Sequence, residues 1–155
     1  MTTADSLYDQ LKPDISLVAN ALFDVSELFL RKQGNFLPHG AVLTRDGQVR
    51  MVAAAPNSAN DMTKSTEVLP LLHDGLRHQA KEPTVKAIGV AENVTVTLEG
   101  KRPTKAIKVL FEHERGLCVA LYLPFEKKIF RGHVTGAPFS LAAAAEVRAW
   151  APDAA

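Results

Sequence analysis

The stretch FLPHGAVLTRDGQVRMVAAAP, residues 36–56, decides the fold, because its register fixes which side chains a sheet turns inward. Two loops compete around Thr44–Gln48. A two-residue Asp46-Gly47 loop sets Leu43 opposite Arg50 and mixes polar with apolar residues on both faces. A three-residue loop with Gly47 left-handed pairs Leu43 with Val49 and Ala41 with Met51. That register gathers Ala41, Leu43, Val49, Met51 and Ala53 on one face, and leaves Thr44, Gln48 and Arg50 with Val42 and Val52 on the other. Hydrophobic alternation sets register, so residues 36–55 are read as a hairpin closed by the longer loop.

The same solution recurs in KAIKVLFEHERGLCVALYLPF, residues 105–125, where Gly116 closes a three-residue turn. It opposes Phe111 to Val119, Val109 to Leu121 and Ile107 to Leu123. The reverse face then pairs Glu112 with Cys118, Leu110 with Ala120 and Lys108 with Tyr122. Upstream, Ile88, Val90, Val94, Val96 and Leu98 line one face of a further strand that Glu92 interrupts, giving a three-stranded meander over 84–125.

Helices flank these strands. Leu7, Leu11, Ile15, Val18, Leu22, Val25 and Phe29 step by three and four, which is one helical face within an N-terminal segment 1–34. Pro13 predicts a break near Lys12, and Gly34 is the stop signal. A second helix is expected over 66–80, with Leu69, Leu72, Leu76 and Ala80 buried, Pro70 in its first turn, and His73 and His78 in solvent. Ser140 is read as the cap of a C-terminal helix over 140–150. The expected fold is therefore α+β: one domain over 1–155, order α-β-β-α-β-β-β-α, with helices packed on a five-stranded antiparallel sheet. In this order of elements the chain resembles roadblock and longin-type domains. That resemblance implies a small interaction module, often one that dimerises.

Composition narrows the function classes. The chain has 155 residues, 46% of them hydrophobic and 23% charged, with a formal net charge of +1, as expected of one soluble globular domain. So small a net charge gives the whole molecule no electrostatic attraction to nucleic acid or to a membrane, and neither is expected as a partner. One cysteine, Cys118, excludes an internal disulfide and suits a reducing compartment. The first residues, MTTADSLYDQLKPD, lack the basic and apolar regions of a signal peptide, so a cytoplasmic location is expected. HExxH, paired CxxC, a phosphate loop and GxGxxG are absent, and no cofactor or metal is implied.

Three sets of residues carry what chemistry there is. Glu92 and His113 interrupt apolar faces, and the meander is expected to bring them to one end of the sheet. They are either a satisfied polar pair or, with His39 at the entry of the first strand, the floor of a pocket. In Glu112-His113-Glu114 the strand sends the imidazole away from the two carboxylates, so no metal site forms locally. Lys101, Arg102, Lys105, Lys127, Lys128 and Arg131 gather at one end of the last hairpin, either to hold an anionic ligand or to keep an edge soluble. Leu110, Cys118, Ala120 and Tyr122 make a reverse face too apolar for water, covered by a helix or by a second subunit. The leading expectation is a non-enzymatic binding or adaptor domain that works through a protein partner or through itself. The alternative is a small-molecule or anion-binding protein or an enzyme, with a pocket near Glu92, His113 and His39.

Overall fold

The structure, a computed structural model, describes residues 3–53, 65–97, 100–128, 132–135 and 138–150. In chain order these form α1 (Thr3–Gln33), β1 (His39–Thr44), β2 (Val49–Val52), α2 (Ser65–Ala80), β3 (Val85–Val96), β4 (Thr104–His113), β5 (Cys118–Lys128), β6 (Gly132–Thr135) and β7 (Phe139–Ala142). Every strand pairing is antiparallel, and six strands lie side by side in the order β2-β1-β3-β4-β5-β6. The seventh, β7, lies on the same outer edge of β5 as β6. The α+β class and the antiparallel sheet agree with the sequence reading.

Both hairpin registers are as read. Ala41 faces Met51 and Leu43 faces Val49, while Phe111 faces Val119 and Glu112 faces Cys118. Gly47 and Gly116 take φ of 87° and 94°, the left-handed backbone that each three-residue loop needs.

The helices lie on opposite faces of the sheet, and β3 shows why. Its side chains alternate between small and large. Ala87, Gly89 and Ala91 point to α1, whereas Ile88 and Val90 point to α2. A methyl group built on Gly89 would lie 2.5 Å from Val18 Cγ1 and 2.8 Å from Leu22 Cδ1, so α1 rests directly on the strand backbone there. On the other face, a methyl on Gly40 would lie 2.9 Å from the Gly89 carbonyl oxygen and 3.0 Å from Leu76 Cδ1. Adjacent strands thus offer one gap to each helix.

Three expectations about the helices need correction. First, α1 is continuous through Pro13. The ring sits on the exposed side, where water can take up the Asp9 carbonyl that loses its N–H partner. Second, the buried stripe of α1 runs Leu11, Ile15, Val18, Leu22, Ser26, Leu30, not through Val25 and Phe29; in α2 it begins at Val68 in place of Leu69. Third, the helix expected over 140–150 does not form. Phe139–Ala142 pairs with β5, and the chain beyond it is irregular as far as Trp150. Two unmet needs outweigh local helix propensity here: the open outer edge of β5, and the buried carboxylate of Glu112. That carboxylate accepts N–H bonds from Glu146 (3.0 Å), Val147 (2.8 Å) and Ala149 (3.2 Å). The sheet therefore exceeds the expected five strands, and the likeness in element order to roadblock and longin-type domains loses its last helix.

Among the described residues, no helix is long and apolar enough to cross a membrane.

Candidate functional site

The expected pocket of Glu92, His113 and His39 does not assemble. In the register of β3 with β4, Glu92 faces Lys108 and His113 faces Ala87. Five positions separate Lys108 from His113, and an odd spacing along a strand sends the two side chains to opposite faces. Glu92 lies on the α2 face, where burial raises its pKa and Lys108 opposes that rise. Lys108 in turn bonds Glu146 at 2.6 Å.

His113 is buried on the α1 face. Its Nδ1 accepts the Arg115 N–H (3.1 Å), which places the ring proton on Nε2, and Nε2–H donates to Asp14 Oδ2 (3.1 Å). Asp14 also holds the Lys86 ammonium at 3.1 Å. A carboxylate behind an imidazole is the arrangement of a catalytic dyad, but the nitrogen that would meet a substrate is capped by backbone. Burial lowers the pKa of His113 and the Asp14 bond opposes the shift.

His39 is equally committed. Nδ1–H donates to the Leu37 carbonyl (3.0 Å), and Nε2 lies 3.2 Å from the Ser26 hydroxyl, which also reaches the Leu22 carbonyl at 2.7 Å. Phe29 and Phe36 present their rings edge-on to the imidazole. Burial lowers its pKa. His73, expected in solvent, is half-buried on α2, and its Nε2 has no hydrogen-bond partner among the described residues.

His39 and His113 therefore make the fold acid-sensitive, with a definite sign. Each has a folded pKa below its unfolded value near 6.5, so the unfolded chain takes up protons first. Stability is lost as pH falls below about 6.5 and levels off only below the folded values. We expect urea titrations to show stability falling as pH drops below about 6.5, partly offset by Glu92, whose raised pKa acts in the opposite direction. A flat profile below that pH would show that the imidazoles are not buried neutral.

The expected interface residues are covered by the chain itself. Leu110 and Ala120 are buried, Cys118 and Tyr122 half-buried, and the irregular segment that follows β7 packs Val147, Ala149 and Trp150 with α2 over this face. A second subunit is not needed to keep it dry. Of the basic set, Lys101, Arg102 and Lys105 are exposed; Lys127 and Lys128 are strand positions at the end of β5, and Arg131 lies outside the described residues.

The structure adds a site that the sequence reading missed. Where β5 begins, a groove of about 500 Å³ opens between the first turns of α1 and β7. Leu7, Tyr8, Leu117, Cys118, Val119, Leu141 and Ala143 line it. A second cavity of about 210 Å³ continues from it past Leu117 and Cys118 towards Glu112, His113 and Trp150. Burial and the nearby Glu112 and Glu146 carboxylates push the Cys118 thiol up to about 11, so it is neutral at physiological pH. The groove therefore offers aliphatic surface, a protonated thiol, and the hydroxyls of Tyr8 and Ser140, while the charged groups behind it are already bonded. Among the described residues, no group of three or more His, Cys, Asp or Glu side chains is placed to hold a metal ion. No sequence motif marks the groove, since its walls come from residues 7–8, 116–119 and 140–145, and the last of these was read as helix.

Comparison with protein-family models, with curated proteins and with solved structures gives no match to this chain.

Proposed function

We propose that this is a non-enzymatic binding domain whose groove at the start of β5 holds a small, uncharged, largely aliphatic ligand. One observation carries the reading: a groove of about 500 Å³, the size range of ligand pockets, is walled by Leu7, Leu117, Val119 and Leu141 and offers only neutral polar groups. Burying a charge there would lack a free counter-ion, whereas an alkyl chain would gain roughly 25 cal/mol for each Å² removed from water. His39 and His113 are poorly suited to catalysis, because both ring nitrogens of each are engaged within the fold.

Medium-chain aliphatic alcohols should raise the melting temperature in proportion to chain length, by mass action on the folded state, and the corresponding carboxylates should not. The alcohols should also slow the reaction of Cys118 with a methanethiosulfonate reagent. Ala145→Trp, which fills the junction of the two cavities, should abolish both effects. A panel that leaves both the melting temperature and the labelling rate unchanged would end this reading.

A further inference from the structure

We propose that the far end of the β3–β4–β5 meander is a docking surface for an acidic segment of a partner protein. It is a separate surface from the groove and does not depend on it. The register builds it. Val96 faces Thr104 where β3 turns into β4, and Ala106 faces Pro124 across β4 and β5. Beyond Pro124, β5 runs on to Lys127 and Lys128 in the direction of the turn that carries Lys101 and Arg102. Lys105 lies beside them on β4, opposite Thr95. The β3–β4 turn and the end of β5, far apart in sequence, thus lie at the same end of the sheet.

Three of these cations stand apart from the paired ones in the molecule. Lys12, Arg45, Arg50, Arg77, Lys86 and Lys108 each meet a carboxylate within the fold. Lys101, Arg102 and Lys105 are exposed and make no ion pair among the described residues. The segments 97–105 and 124–131 hold six bases and only two acids, Glu99 and Glu126, which leaves 12 bases against 15 acids in the rest of the chain. A near-neutral net charge therefore hides an uneven distribution of charge along the sequence.

That distribution selects the partner. The basic end is about three strands wide, roughly 15 Å, so its footprint is short. A nucleic acid long enough to bind well would run past it and meet the rest of a chain that carries more acids than bases. Nor does this end present an exposed aromatic among the described residues on which bases could stack; Phe125 is buried on the α1 face. A short run of Asp and Glu fits the footprint and takes the guanidinium and ammonium groups as charge-assisted hydrogen bonds.

The test uses fluorescence anisotropy of the full chain with a labelled oligoglutamate peptide and with a labelled DNA strand of equal charge. The proposal expects saturable peptide binding that weakens as salt rises, with the DNA bound more weakly. Lys101→Glu, Arg102→Glu and Lys105→Glu together should weaken peptide binding at least tenfold, while Arg31→Glu with Lys32→Glu at the end of α1 should not. If the charge-reversed protein has a lowered melting temperature, the corresponding Gln variants take its place. No peptide binding, binding unchanged by the triple substitution, or tighter binding to the DNA would each overturn the proposal.

Discussion

Gly89→Val is expected to prevent the chain from holding its folded state. The added side chain would begin 2.5 Å from Val18 Cγ1, and a β-branched residue on a helix has one strongly preferred rotamer and cannot turn aside. Adding a single methyl to a packed core usually costs about 1–3 kcal/mol. Gly89→Ala should fall at the upper end of that range, and valine should exceed about 4 kcal/mol, a large share of the roughly 5–15 kcal/mol that stabilises a typical domain. Urea unfolding measures the alanine variant directly. The cause can be separated from any general intolerance of the strand: combining Gly89→Ala with Val18→Ala should destabilise by at least about 1 kcal/mol less than the sum of the two single changes. Simple additivity would mean that α1 does not press on β3 at this point.

Glu112→Ala is the second large effect, and it should act locally before it acts globally. The carboxylate is buried and accepts three backbone N–H bonds from residues 146–149. Alanine would leave those donors without partners at a cost of roughly 3 kcal/mol or more, since each unsatisfied buried donor costs about 1–3 kcal/mol. Glu112→Gln keeps the shape but turns an amide NH2 towards donors, so it too should destabilise. Trp150, the only tryptophan, packs with the α2 core at the end of this segment and reports on its release. We expect a red-shifted Trp150 emission in Glu112→Ala under conditions where the circular dichroism is still native. Unchanged emission would mean that Val147 and Ala149 hold the segment without the carboxylate.

The strands were legible because parity is a strict code. A one-residue slip would have put Leu43 and Phe111 into water, and Gly47 and Gly116 left one sterically easy loop for each hairpin. The same code, applied to the full register, separates Glu92 from His113; comparing which faces they interrupt, without counting positions along β4, suggested the opposite. Residues 140–150 were misread because LAAAAEV is a strong local helix former, while what overrides it sits elsewhere: the outer edge of β5 and the side chain of Glu112. The groove was invisible for the same reason. Its aliphatic walls carry no motif, and they come together only once that segment has been placed as β7 and the loop after it.

The way β5 divides its outer edge bears on how this protein behaves in a crowd. Val119–Tyr122 pairs with β7, Phe125–Lys128 pairs with β6, and the change of partner falls at Leu123 and Pro124. The outermost strands on that side, β6 and β7, are four residues each and break the margin in two. The opposite margin is β2, four residues long, with Arg50 tied to Glu82 across it. Both margins are short or occupied, the condition under which β-proteins escape stacking into fibrils. Concentrated solutions of this chain should therefore remain free of thioflavin-positive aggregate.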